Sequence, residues 1–202
     1  MKENIANIVK YNFWDGNSPE TGFQRSAYLE RILKFSGSKL IRVLVGQRRA
    51  GKSFILRQII KNLVESGIHG SHTLYINKEF VEYDFITNYK QLAEFVQLYR
   101  TEMKLGGKLY LFLDEVQHIE GWERTVDSFA QDFAEQYELY ITGSNSELLA
   151  GELASLLSGR YMFPLKSIHF HTGNIAIFML MNKTGDHFWN IFNLVPCLIF
   201  FN

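Results

Sequence analysis

Gly46-Gln47-Arg48-Arg49-Ala50-Gly51-Lys52-Ser53 is the stretch that decides the fold. The eight residues fit G-x-x-x-x-G-K-[ST] at every fixed position. Such a loop wraps a phosphate so that successive backbone N–H groups point inward, and its glycines permit the dihedrals and close approach this requires. A helix opening at Lys52 aims the positive end of its dipole at the same anion. Lys52 adds a full charge for the β- and γ-phosphates, and the Ser53 hydroxyl is placed to ligate Mg²⁺. A chance match in a chain of this length is about a 1-in-100 event. The flanks suit the motif as well. Ile41–Val45 reads as a buried strand, while Leu56, Ile59, Ile60 and Leu63 give the following helix an apolar face. Gly46 to Ser53, with Phe54 behind them, are the candidate nucleotide-binding residues.

Downstream, Leu109–Leu113 is five consecutive apolar residues ending in Asp114-Glu115. A strand-end Asp of this kind holds Mg²⁺, generally through its waters. The adjacent Glu can accept a proton from the water that attacks the γ-phosphate. A solvated strand end would explain the two carboxylates on their own; after a complete phosphate loop, the catalytic reading is the stronger. Water activation suits hydrolysis, whereas a small-molecule kinase would activate an acceptor hydroxyl and has no need of this Glu. Further on, Tyr140-Ile141-Thr142-Gly143-Ser144-Asn145 is a strand running into small polar residues. Beside the phosphate-loop strand, Thr142, Ser144 or Asn145 would reach a γ-phosphate. Ser144 or Asn145 would equally cap a helix starting at Glu147. Arg160 is a candidate arginine finger, in cis or toward a neighbour, set against the plainer role of a surface residue.

Strands and helices alternate through the body. Helical spacing covers Gln24–Phe35, Thr87–Met103 and Glu147–Leu157, and recurs through Trp122, Val126, Phe129 and Phe133; strand patterns fall at Thr73–Ile76, Tyr137–Thr142 and Tyr161–Leu165. Parallel neighbours need crossovers, and helices serve as crossovers. The predicted fold is therefore α/β: a three-layer α/β/α P-loop sandwich on a parallel sheet of about five strands. Tyr11, Phe13 and Trp14 precede the first of these helices and either contact a base or pack against the core.

Four ordered motifs carry a family resemblance: G-Q-R-R-A-G-K-S, L-F-L-D-E-V-Q-H-I-E-G-W-E, Y-I-T-G-S-N-S-E-L-L and L-S-G-R-Y-M-F-P-L. Together they resemble the prokaryotic AAA+-superfamily ATPases, in particular an archaeal-type group that usually carries a further C-terminal domain of unknown function. The resemblance spans about Tyr28 to Leu165. It implies a sheet with the sensor strand between the phosphate-loop and acidic strands. It also implies ATP and Mg²⁺, with Lys52 and Ser53 in the first motif and Asp114 and Glu115 in the second. Thr142-Gly143-Ser144 matches the sensor-like element, Arg160 matches the arginine of the G-R segment, and Gln117 matches a further position of unassigned role. The implied activity is ATP hydrolysis that drives a change in an effector region or partner. The alternative is a nucleotide-dependent switch with negligible turnover. After Leu165 the chain departs from the pattern, without the Ser-Phe-x-Glu-like segment of relatives.

Composition divides the chain at the same place. Its 202 residues are 47% hydrophobic, with 21 Lys+Arg against 21 Asp+Glu. Only three of those charges, Lys166, Lys183 and Asp186, lie in residues 166–202, which also hold seven aromatics. The expected organisation is an N-terminal segment and helix over 1–40, a P-loop core over 41–165, and a low-charge tail over 166–202. That tail reads as an abnormal or frameshifted terminus, or else as a divergent one that adds a strand. Its apolar stretches, Ile175–Met181 and Leu194–Phe201, are far short of the roughly 20 residues a membrane helix needs. Zero net charge gives no general argument for nucleic acid. One cysteine, Cys197, precludes an internal disulfide and points to a reducing, cytoplasmic setting. His169 and His171 with His187 and Cys197 lack convincing metal-ligand spacing. The expected partners are ATP or ADP, with self-association or a protein partner beyond them.

Overall fold

The computed structural model describes residues 2–37, 40–144, 160–168 and 175–182, with side chains at 4–26, 29–37 and 40–143. In chain order the helices are α1 (Lys2–Asn7), α2 (Ser26–Leu33), α3 (Lys52–Glu65), α4 (Tyr89–Glu102) and α5 (Trp122–Gln131). The strands are β1 (Ile41–Gly46), β2 (Thr73–Asn77), β3 (Leu109–Asp114), β4 (Tyr137–Ser144), β5 (Arg160–Ile168) and β6 (Ile175–Asn182). They form one sheet in the order β2-β3-β4-β1-β6-β5.

The first four strands in that order are parallel neighbours. Every residue of β1, β2 and β3 is buried. Burial on both faces explains why these strands read as unbroken apolar runs rather than as alternating ones. Two core clusters result. On one face Ile41, Val43 and Val45 meet Leu92, Phe95, Val96 and Tyr99 of α4 and Trp122, Val126 and Phe129 of α5. On the other, Leu44, Phe112 and Tyr140 meet Leu29 and Ile32 of α2 and Ile55, Leu56, Ile59, Ile60 and Leu63 of α3. This is the expected three-layer α/β/α arrangement, and β4 lies between β1 and β3 as the resemblance implied.

The sheet departs from five parallel strands at one side. β6 pairs antiparallel with β1, and β5 pairs antiparallel with β6. β5 thus runs in the same direction as β1 but is separated from it by a strand from the low-charge tail. The apolar run Ile175–Met181, too short for a membrane, has the length of a sheet strand. Among the described residues no helix is long and apolar enough to cross a membrane. The predicted helix Glu147–Leu157 and the histidines and cysteine of the tail lie outside the described residues.

Phe133 also departs from expectation. Helical spacing places it on the apolar face of α5, but it is 93% exposed. α5 ends at Gln131, Asp132 is extended, and its Oδ1 accepts the N–H groups of Ala134 and Glu135. That turn carries Phe133 off the helical face.

The segment before α2 packs against the parallel sheet. β2 is an edge strand, and a bare edge exposes unpaired backbone groups. Here the Asn12 amide imitates a neighbouring strand: Oδ1 accepts Tyr75 N–H at 2.7 Å and Nδ2 donates to Tyr75 O at 3.3 Å. Trp14, fully buried on Tyr99, donates its indole N–H to Thr73 O at 2.7 Å. Tyr11 stacks on Phe80 with ring centroids 4.4 Å apart. Of the two roles open to Tyr11, Phe13 and Trp14, packing is the one seen.

Candidate functional site

Parallel strands bring their C-terminal ends to one edge, which gathers the loop after β1 with the ends of β2, β3 and β4. Cross-strand register sets Asn77 opposite Asp114 and Ser144 opposite Gly46. The candidate residues are therefore adjacent because of sheet order, although they are far apart in the chain.

The loop has the backbone its motif requires. Gly51 takes φ +87° and Arg49 φ +62°, both left-handed. A Cβ on Gly51 would lie 2.6 Å from the Arg25 guanidinium. Arg25 donates to Ala50 O at 2.7 Å, so a residue from before α2 braces the loop from below. Gln58 on α3 holds that segment in place, donating to Thr21 O and Phe23 O and accepting Arg25 N–H. Gln47, Arg48 and Arg49 are exposed while Ala50 is buried. Arg48 reaches across to Glu79 at 3.3 Å. Phe54 packs on Gly22 and lies under the Arg57 guanidinium, 4.4 Å from the ring centroid.

Lys52 is folded back over the loop, 97% buried on its side chain. Its Nζ donates to Gly46 O at 3.0 Å and Gln47 O at 3.2 Å, and lies 3.4 Å from Glu115 Oε1. Glu115 is itself buried and has φ 54°, ψ 51°, an uncommon conformation for a residue with a side chain. The Glu115 N–H donates to Thr142 Oγ1 at 3.1 Å, and Thr142 donates onward to Asp114 Oδ1. Gln117 Nε2 donates to Glu115 Oε2 at 2.6 Å.

Asp114 has no exposed surface. Its Oδ2 accepts from Tyr75 Oη at 2.6 Å and Asn77 Nδ2 at 3.2 Å, and the Ser53 side chain lies beside the carboxylate. Burial pushes the Asp114 carboxyl above its usual range, against the opposing pull of the neighbouring Thr142, Tyr75 and Ser53 hydroxyls. Burial, reinforced by the Asp114 charge, likewise pushes the Tyr75 phenol far up, so it remains a donor. The Ser53 hydroxyl and the Asp114 carboxylate thus share one edge of the site, an all-oxygen donor set that fits a hard divalent cation.

Over these groups opens a cleft of about 900 Å³. Arg48, Arg49, Lys52, Ser53, Phe54 and Arg57 line one side, with Asn77, Glu79, Phe80 and Glu115 opposite. Its size falls within the usual range for small-molecule sites.

Of the other candidates, Thr142 is buried and committed to Asp114 and the Glu115 backbone, which makes it a brace between β3 and β4. Ser144 and Arg160 are placed by backbone alone. Ser144 ends β4 beside the loop. Arg160 pairs with Asn182, whereas Gly46 pairs with Ile175 at the other end of β6. Seven residues of strand separate those levels, roughly 20–25 Å of backbone. Asn145 lies outside the described residues. Sequence reasoning missed Tyr75, Asn77, Arg25 and Gln58. A polar residue ending an apolar strand was a usable signal for Asn77; nothing local marks Arg25 or Gln58.

Comparisons with known proteins agree with this geometry. The family described as "AAA domain" matches residues 38–172. An uncharacterized protein of Haemophilus influenzae is 38% identical over 157 residues, which cover 75% of this chain and 38% of that protein. An uncharacterized protein of Methanocaldococcus jannaschii is 32% identical over 120 residues, or 59% of this chain and 24% of that protein. The chain thus spans less than two-fifths of the length of these curated relatives. No solved structure matches it.

Proposed function

The chain belongs to the AAA-domain family, a nucleotide-binding module of P-loop ATPase type, and on that footing we propose that it hydrolyses ATP with Mg²⁺ to drive a change in an effector region or partner. The observation that carries this reading is Glu115, a buried carboxylate in a left-handed backbone 3.4 Å from the phosphate-loop lysine. A strained acidic residue beside an anion-binding loop has little structural use but is suited to hold a water for attack.

In this reading the N–H groups of residues 46–54 cradle the phosphates. Lys52 leaves the Gly46 and Gln47 carbonyls and Glu115 to neutralise the β- and γ-phosphates. That move frees Glu115 Oε1 to accept the proton of the attacking water. Ser53 and Asp114 would hold Mg²⁺, which when bound screens phosphate charge. Ser144, opposite Gly46, is assigned to the γ-phosphate. Arg160 is assigned to the site of a neighbouring molecule, since its backbone lies at the end of the sheet away from its own loop. The proposed setting is the cytoplasm.

Phosphate release measured beside a nucleotide titration tests the reading. Lys52→Ala is expected to lose binding, and Glu115→Gln to keep binding and lose turnover at least a hundredfold. Equal turnover by Glu115→Gln and the parent would refute the role of Glu115. Binding without turnover in the parent would favour the switch.

A further inference from the structure

Gln117 follows the acidic pair but has no part in the scheme above. It lies in the short 3-10 turn Val116–His118 directly after β3. The left-handed backbone of Glu115 starts that turn, and Gln117 Nε2 meets Glu115 Oε2 at 2.6 Å. The two oxygens of one carboxylate thus have different neighbours: Oε2 has a neutral amide, and Oε1 has Lys52 at 3.4 Å. Gln117 Oε1 is buried and has no partner among the described residues. Buried acceptors left without a donor are uncommon and call for an explanation, which a functional site often supplies.

We infer that Gln117 is a positioning residue for hydrolysis, holding Glu115 Oε2 so that Oε1 faces the phosphate loop after Lys52 has turned to the nucleotide. The inference rests on the water-activating role proposed for Glu115. Lys52 cannot do this work in the loaded state, because its charge is then engaged by phosphate. A glutamate with nothing on its second oxygen would rotate among several rotamers, and misplacement by about 1 Å is enough to slow a reaction sharply. A neutral donor fixes the orientation without placing a second cation against the base. Nucleotide affinity comes from the loop and Lys52, which Gln117 does not contact in any described hydrogen bond.

The test replaces the amide by a hydrocarbon of similar size, Gln117→Leu, with Gln117→Met as a second variant should the first fold poorly. Steady-state ATP turnover, ATP titration and thermal midpoint are measured in the parent and in the Glu115→Gln background. The expected result in the parent background is a fall in kcat of about ten- to a hundredfold, with KM and nucleotide Kd unchanged within about twofold. In the Glu115→Gln background the same substitution is expected to have no further effect, since the oriented carboxylate is already gone. Turnover lost in Glu115→Gln but retained in Gln117→Leu and Gln117→Met would overturn the role of Gln117 alone. So would equal losses in both backgrounds, or losses that follow the thermal midpoint. Turnover that survives Glu115→Gln would overturn the underlying reading instead, and a parent without turnover would overturn both.

Discussion

At the scale of single residues, the loop depends on conformations that few residues can adopt. Gly51 combines φ +87° with a Cβ position 2.6 Å from Arg25. Gly51→Ala therefore meets both backbone strain and a clash with the side chain bracing Ala50. The left-handed conformation alone costs about 1–2 kcal/mol, and the displaced guanidinium adds to it. A thermal midpoint several degrees below the parent, together with weaker nucleotide binding, is the expected outcome. An unchanged midpoint and affinity would show that the loop does not need this geometry. Glu115 illustrates the other use of strain. There the unfavourable backbone is retained by a residue with a side chain, held through Thr142 Oγ1.

Between elements, the most consequential tie lies at the end of the sheet away from the loop. Arg42 and Glu138 are completely buried and 3.3 Å apart on adjacent strands β1 and β4. Glu138 also accepts from Tyr140, Lys108, Ser36 Oγ and Gly37 N–H, so the turn after α2 is docked onto the same carboxylate. Glu138→Ala leaves the Arg42 guanidinium without that carboxylate, a loss of about 3–5 kcal/mol for broken buried pairs. A denaturant midpoint within error of the parent would contradict this.

A second tie joins α4 to the start of β4. Glu135 accepts from Tyr137 Oη at 2.5 Å and Gln97 Nε2 at 3.0 Å, with Arg100 at 3.2 Å. The Tyr137 hydrogen bond, helped by Gln97 and the Arg100 charge, holds the Glu135 carboxyl below its usual range. A depressed carboxyl binds fewer protons folded than unfolded, so its stabilisation is present above the unfolded value of 4.5. It is lost as pH falls through the lower folded value. Denaturation curves across that acid window should show the parent losing its advantage over Glu135→Gln as pH drops. A difference independent of pH would refute the tie.

For the whole molecule, ligand linkage is the relevant quantity. A site that binds Mg·ATP only when folded stabilises the chain by about 2.7 kcal/mol at a hundredfold excess over Kd. For a chain of this size that corresponds to a midpoint rise of about 5–10 °C. Thermal scans with Mg·ATP should show the rise in the parent and not in Lys52→Ala. An equal shift in both would place binding elsewhere.

Much of this architecture was legible in the chain because its signals are local. The parallel strands are buried on both faces and so appear as continuous apolar runs. The phosphate loop is eight consecutive residues, and Asp114-Glu115 directly ends a strand. Phe133 misled because helical spacing continues in the sequence past the residue where Asp132 ends the helix. Tyr75, Asn77, Arg25 and Gln58 were not legible, since each acts on a residue distant in the chain.

The sequence by itself determined the motif, the elements around it and the class of fold, because those depend on neighbours within a few residues. Tertiary structure decided which strands adjoin, and through them every contact of the site. Lys52 meets Glu115 only because β4 alone separates β1 from β3. Asn77 meets Asp114 only because β2 and β3 are in register. Strand order likewise inserted β6 beside β1 and set Arg160 at the far end of the sheet. Such pairings arise from closing long loops around a shared core, and no local pattern of residues records which closure wins.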